Sequence, residues 1–186
     1  MIVTPQLTIL CICTGNVCRS PAAERLLAHV LGPSVQVFSA GTWALVGQPF
    51  SPPMDQLVLN GGGDPSGFKA QELTADLLRQ ADLVLGMTRE HRGAAAEMVP
   101  ASVRRSFTLR EYARLLGQID PARLPAGSPA ERARASLPLA AALRRQGEAV
   151  DDDVADPYRQ GEMAYTQAYA GIEQAVRDIA KVLNPG

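Results

Sequence analysis

Cys13 and Arg19 bracket a five-residue loop, Thr14-Gly15-Asn16-Val17-Cys18, and together they specify a chemistry. A cysteine acts as a nucleophile in its thiolate form, which nearby cations, oriented N–H groups and a helix N-terminus all favour. An arginine presents a planar fork that grips two oxygens of a phosphate, which the single ammonium of lysine cannot do. A thiolate facing a clamped phosphoryl group is arranged for displacement at phosphorus through a phosphocysteine. The leaving oxygen then needs a proton, and a carboxylate-rich segment near the C-terminus holds the candidate donors. The segment is Asp151-Asp152-Asp153-Val154-Ala155-Asp156-Pro157-Tyr158. Taken alone, Asp-Pro is a turn and an acidic run is a solvated loop. Paired with the Cys13–Arg19 loop, the segment becomes a source of the general acid, and Pro157 restricts Asp156 to extended backbone. The run Asp151 to Asp153 adds like charges beside Asp156, which either suits a proton donor or has no measurable effect.

The surrounding elements must bring these groups to one point. Leu7 to Cys13 is apolar and rich in β-branched residues, so it reads as a buried strand that stops at the loop. Ser20 stands where a helix N-cap is wanted, with Pro21 at the first helical position. Strand, loop and helix N-terminus form a ready anion site. Ala23, Leu26, Leu27, Val30 and Leu31 continue as a helical stripe ended by Gly32-Pro33, with His29 off the stripe. Val35 to Ala40 is the second strand, parallel to the first through a right-handed crossover. Short helices follow at Met54–Val58 and after Thr74, then a strand at Asp82–Met87 and a helix from Arg89 capped by Thr88. Arg104–Leu109 and Arg110–Leu116 are expected as the fourth strand and its helix, and the 3.6 period of Gly161–Leu183 makes one long final helix. The pattern predicts an α/β three-layer sandwich, a four-stranded parallel sheet flanked by helices, in a single domain over 1–186. Segment 118–150 reads as an inserted helical piece. Ser128-Pro129-Ala130-Glu131 opens one helix there, and Pro138 separates it from a second that ends at Arg144-Arg145-Gln146-Gly147. Entering just before the acid loop, this piece either shapes the cleft or is a surface excursion, the reading favoured.

Cys-Thr-Gly-Asn-Val-Cys-Arg-Ser-Pro, from Cys13 to Pro21, resembles the signature loop of the low-molecular-weight protein tyrosine phosphatases, and Asp156-Pro157-Tyr158 resembles their acid loop. The resemblance implies a phosphotyrosine phosphatase I-like fold and hydrolysis of protein phosphotyrosine without a cofactor or metal. It implies phosphate binding by Thr14, Gly15, Asn16, Val17, Cys18 and Ser20. Asn16 would brace the strained loop, Ser20 would donate toward the Cys13 sulfur, and Cys18 would form a reversible, protective disulfide with Cys13. The loop from Gly41 to Pro53 would wall the cleft, with Trp43 and Tyr158 sandwiching a phenyl ring; for Trp43, a structural anchor stands as an equal alternative. Arg159 departs from the second aromatic that relatives often carry after Tyr158. The same loop also serves protein-arginine phosphatases, which place threonine where this chain has Val17, and thiol-dependent arsenate reductases, which commonly relay through cysteines this chain lacks beyond Cys18. A non-catalytic phosphate-binding module would need a damaged nucleophile, arginine or acid, and all three are intact.

Composition sets the remaining bounds. The 186 residues are 46% hydrophobic, enough for one good core. A net charge of −1 gives no reason to expect nucleic acid or an anionic membrane as partner. No apolar run approaches a membrane span, no basic leader opens the chain, and a cytoplasmic location is expected. The few lysines, Lys69 and Lys181, among many arginines, alanines and glycines suggest a GC-rich bacterial genome. Cys11, Cys13 and Cys18 lie too close together to staple the fold, and with only His29 and His91 they make a zinc site unexpected. Cys11 is expected to point away from Cys13, into the core. The family resemblance implies a phosphotyrosine-containing protein as partner, with a bacterial tyrosine kinase as one such substrate, and a monomer or weak dimer.

Overall fold

The computed structural model describes residues 7–146 and 150–185. Strand β1 (Leu7–Cys13) is buried at every residue except Thr8, which stays half-buried, and it lies inside the sheet. Strand β2 (Val35–Gly41) pairs with it on one side and β3 (Leu83–Gly86) on the other, with β4 (Ser106–Thr108) beyond β3. All pairings are parallel. The helices are α1 (Arg19–Leu31), α2 (Met54–Asn60), α3 (Ala75–Gln80), α4 (Arg89–Met98), α5 (Leu109–Leu116), α6 (Pro129–Gln146) and α7 (Glu162–Leu183).

Alternation along the strands divides the core in two. Leu7, Ile9, Cys11 and Cys13 join Leu83, Leu85 and Phe107 under α1, α5 and α7, whereas Leu10, Ile12 and Val84 meet the residues of α3 and α4. Cys11 therefore shares a face with Cys13, because residues two apart on a strand point the same way. The chain crosses from β1 to β2 through α1 on one face and returns through α3 on the other, so its winding reverses between β1 and β3. In such sheets the carboxyl ends of the strands open into a crevice at that reversal. Cys13 ends β1 there.

Local signals account for most helix starts. Thr74, Thr88 and Thr108 each accept a hydrogen bond from the third backbone N–H of α3, α4 and α5. At α1 the sequence expectation needs correction. The helix begins at Arg19 with Cys18 at the cap, so Ser20 and Pro21 lie within the first turn and the Ser20 hydroxyl is free for other partners. Strand β4 is shorter than expected, because Arg104 and Arg105 belong to a 3₁₀ segment, Pro100–Arg105. Asp82 lies just outside β3, where its carboxylate accepts from the Thr8 N–H at 2.8 Å.

Segment 118–150 also departs from expectation. Pro138 sits inside one continuous helix, α6. Proline there forfeits a single backbone bond, while Ala130, Ala133, Ser136 and Ala140 are fully buried, and this burial outweighs the loss. Gly147 lies outside the described residues. Helix α6 crosses the amino ends of the strands: Arg144 donates to the carbonyls of Ser106 and Val103 at 2.7 and 3.2 Å, Arg132 to that of Val182 at 2.9 Å, and Arg134 pairs with Asp82 at 3.9 Å. The helix thus covers the end of the sheet opposite Cys13 and does not reach the cleft. Among the described residues, no helix is long and apolar enough to cross a membrane.

Candidate active site

The loop from Thr14 to Cys18 is pinned by its carbonyls. Those of Cys13, Thr14, Gly15 and Val17 accept from the N–H groups of Thr42, Trp43, Leu45 and Ser51 at 2.8–3.0 Å. None of the N–H groups of Thr14 through Cys18 donates within the described residues. With the carbonyls turned outward, these donors are left to the concavity, an anion-binding nest at the start of α1. Close approach requires Gly41, since a Cβ there would collide with the Thr14 carbonyl. Asn16 adopts φ 54°, a left-handed conformation that asparagine tolerates better than most residues. Its fully buried side chain donates to Ser20 at 2.9 Å and to Ser39 at 2.8 Å, and accepts from the Gln71 N–H at 2.8 Å.

These bonds orient a proton at the Cys13 sulfur. Ser20 Oγ already accepts from Asn16, so its own hydrogen is available to Cys13 Sγ, 2.9 Å away. Ser39 passes the chain on, donating to Glu24 at 2.6 Å; burial pushes the Glu24 carboxyl above its ordinary range. The second loop cysteine is held differently. Burial pushes the Cys18 thiol up to about 11, and its sulfur donates weakly to the Tyr165 hydroxyl at 3.8 Å, which also meets Ser51 at 2.9 Å. Cys18 is therefore a neutral thiol near pH 7.

Arg19 joins the loop to the acid segment. It is buried, donates through Nη1 to the Val154 carbonyl at 2.9 Å, and pairs through Nη2 with Asp156 at 2.9 Å. Its Nε is buried with no partner among the described residues, a costly state for an N–H unless an acceptor completes it. The acidic run has a different task from the one its sequence suggested. Asp152 is buried against Arg114 at 2.6 Å, Asp153 accepts from the Arg89 N–H at 2.8 Å, and the Val154 N–H bonds the Met87 carbonyl at 2.8 Å. These carboxylates are committed to anchoring the segment at the ends of β3 and β4. Asp156, about half exposed at its carboxyl group, accepts from the Tyr158 N–H at 3.2 Å.

A cavity of about 130 Å³ opens over these groups, floored by Cys13 and Arg19 and walled by Val17, Trp43, Leu45, Asp156 and Tyr158. Trp43 is 81% exposed, so it forms a rim and is no core anchor. Arg159 lays its guanidinium over the Tyr158 ring at 5.2 Å. A larger cavity of about 510 Å³ lies among Arg92, Glu111, Arg114, Arg144 and Asp152, away from any cysteine. Among the described residues, no group of three or more His, Cys, Asp or Glu is placed to hold a metal ion.

Of the site residues singled out from the sequence, Cys13, Thr14, Gly15, Val17, Cys18, Arg19, Trp43, Asp156 and Tyr158 line this cavity of about 130 Å³, whereas Asn16 and Ser20 are fully buried. Sequence reasoning missed Ser39, Gln71, His91 and Tyr165, which reach the loop from other elements, and Glu24 behind Ser39. For His91 a signal existed: Thr88-x-x-His91 has capping-box spacing, with histidine in the place of glutamate or glutamine.

Comparison with known proteins agrees with this geometry. The family described as low molecular weight phosphotyrosine protein phosphatase matches residues 8–123. The probable low molecular weight protein-tyrosine-phosphatase EpsP of Ralstonia solanacearum is 32% identical over 169 residues, spanning 91% of this chain and 90% of its own. Etp of Escherichia coli, of the same description, is 30% identical over 178 residues, spanning 95% of each chain. Among solved structures, the YwlE arginine phosphatase from Geobacillus stearothermophilus superposes with a TM-score of 0.71 at 25% identity, spanning 96% of this chain and 94% of that one. Wzb of Vibrio vulnificus in complex with benzylphosphonate gives 0.68 at 28% identity, spanning 94% and 97%. With its signature loop at the carboxyl end of β1 and its match over most of the sheet, this chain belongs to the low molecular weight phosphotyrosine protein phosphatase family.

Proposed function

We propose that the chain hydrolyses protein phosphotyrosine in two steps through a phosphocysteine. In the first, Cys13 Sγ attacks phosphorus as the phosphorus–phenol oxygen bond breaks, and Asp156 gives its proton to the leaving oxygen. In the second, water attacks the phosphocysteine, Asp156 takes the proton, and phosphate leaves with the thiolate restored. Arg19 and the loop N–H groups stabilise the charge on the non-bridging oxygens throughout. The observation that carries this reading is the buried, unpartnered Nε of Arg19 in the same cavity as a Cys13 sulfur that already faces the Ser20 hydroxyl. A cysteine-to-serine variant of YwlE is solved with a phosphorylated active-site serine, which supports covalent transfer in a relative.

The walls support an aryl substrate. Val17, Leu45, Trp43 and Tyr158 offer apolar and aromatic surface to a phenyl ring, and the Wzb complex holds a benzyl group on its phosphonate. Phosphoarginine is the second reading, favoured by the YwlE superposition. A guanidinium would call for a carboxylate in the wall, and the one there, Asp156, already faces Arg19. Thiol-dependent arsenate reduction remains a third activity for the same loop. The proposed partner is a tyrosine-phosphorylated protein, with the tyrosine kinases of bacterial polysaccharide pathways as the first class to try. Reversible pairing of Cys13 with Cys18 under oxidant belongs to the same proposal; both are free thiols in this structure.

The test is phosphate release from phosphotyrosine and phosphoarginine peptides side by side, under reductant. Release from phosphotyrosine is expected, and preference for phosphoarginine would overturn the assignment. Asp156→Ala should lower kcat by about 10²–10⁴-fold on phosphotyrosine, and by far less on an aryl phosphate whose phenolate leaves unaided. A loss equal across leaving groups would remove Asp156 from the role of acid.

A further inference from the structure

Thr14 lines the phosphate cavity and its hydroxyl meets Nε2 of His91 at 3.0 Å. The direction of that bond is settled on the other side of the ring. The Thr88 N–H, which can only donate, points at His91 Nδ1 at 3.1 Å, and the Thr88 hydroxyl lies 2.9 Å from the same nitrogen. Nδ1 is therefore an acceptor, and in a neutral imidazole the proton must sit on Nε2. The Thr14 oxygen then receives a hydrogen from His91. Its own hydrogen has no acceptor among the described residues, and the open side of Thr14 is the cavity.

We propose that His91 is a positioning residue which, fixed by the Thr88 capping box as the Nε2–H tautomer, turns the Thr14 hydroxyl so that it donates into the phosphate concavity. This rests on reading the loop as a phosphate site. The fold commits to the arrangement. His91 is 4% exposed, and Gly86 at the end of β3 makes room for it, since a Cβ there would stand 3.2 Å from that of His91 and 2.9 Å from the Arg92 nitrogen. The contact bridges β1 and β3 at the reversal of winding, joining the nucleophile loop to the start of α4. Burial, and then the Arg19 charge, push the His91 pKa down to about 4 against the opposing pull of Asp156 and Asp153, so the ring stays neutral from pH 5 to 8. Neutrality matters because a doubly protonated ring would lose its bond from the Thr88 N–H.

Two measurements test this, and neither needs turnover. Long-range ¹⁵N–¹H correlation spectra of the histidine rings should show His91 protonated on Nε2 and unchanged between pH 5.5 and 8. A proton on Nδ1, or a ring titrating in that range, would overturn the proposal. Calorimetric affinity for inorganic phosphate is the second readout. Thr14→Val, which keeps shape and loses the hydroxyl, and His91→Phe, which keeps a ring and loses the donor, should each weaken it about tenfold, the scale of one hydrogen bond to a charged group. The double variant should be no weaker than the worse single one, and His91→Gln, which restores an N–H donor, should recover most of the loss. Losses that multiply in the double variant, or Thr14→Val binding as the parent does, would overturn it. Should His91→Phe fail to fold, the spectra and Thr14→Val still decide. If the parent protein binds no phosphate at all, the reading of the loop itself falls, a distinct outcome.

Discussion

Cys13→Ser is expected to abolish steady-state phosphate release, by about 10⁴-fold or more, while the protein still folds and still binds inorganic phosphate. A serine hydroxyl is a far weaker nucleophile than a thiolate and, once phosphorylated as in the YwlE variant, a far poorer leaving group, so turnover stalls. Ser20 is aimed at the sulfur position as a hydrogen-bond donor, because its oxygen already accepts from Asn16. Such a donor stabilises an anion that exists and does nothing to create one from a hydroxyl. The phosphate-binding parts, in contrast, stay in place: the loop carbonyls remain tied to Thr42, Trp43, Leu45 and Ser51, and Asn16 keeps its bonds to Ser20, Ser39 and Gln71. Turnover and phosphate affinity should therefore separate in this variant. Activity within a few fold of the parent would refute a cysteine nucleophile, and loss of phosphate binding together with turnover would show that the thiol holds the loop in shape.

What was legible in the sequence was what is local. The Cys13–Arg19 spacing, the strand before it and the start of the helix after it are written in the adjacent residues Leu7 to Pro21, and the threonine caps of α3, α4 and α5 depend on residues three apart. The supports of the loop are not local. Ser39, Gln71 and His91 reach it from 23, 55 and 77 residues away. Nothing in a single chain announces which serine or glutamine the sheet will bring to an asparagine. The acidic run misled for a related reason. Asp152 and Asp153 look solvated until the arginines that receive them, Arg114 and Arg89, are carried in by α5 and α4, while Asp151 stays exposed. Pro138 misled because a local rule lost to packing: one missing bond does not break a helix whose alanine face is buried.

Arg19→Lys is expected to lower kcat/KM by about 10²–10³-fold, the scale for losing a preorganised donor to the reacting oxygens. The variant keeps the positive charge, so the loss isolates what geometry contributes. Arg19 has three jobs for three nitrogens. Nη1 holds the Val154 carbonyl, Nη2 holds Asp156, and the buried Nε has no partner among the described residues. One ammonium cannot serve an acid loop and a phosphate in the same geometry. Two consequences follow from that division. Amide hydrogen exchange across residues 154–158 should quicken, because the bond that ties Val154 to the phosphate loop is gone. The penalty of Asp156→Ala should also shrink in the Arg19→Lys background, because an acid released from its arginine is no longer held at the leaving oxygen, and residues that share one partner do not contribute independently. A lysine variant within a few fold of the parent would mean that charge alone is enough. Penalties that simply multiply would mean that Arg19 and Asp156 work separately, and that the 2.9 Å contact between them has no part in placing the acid.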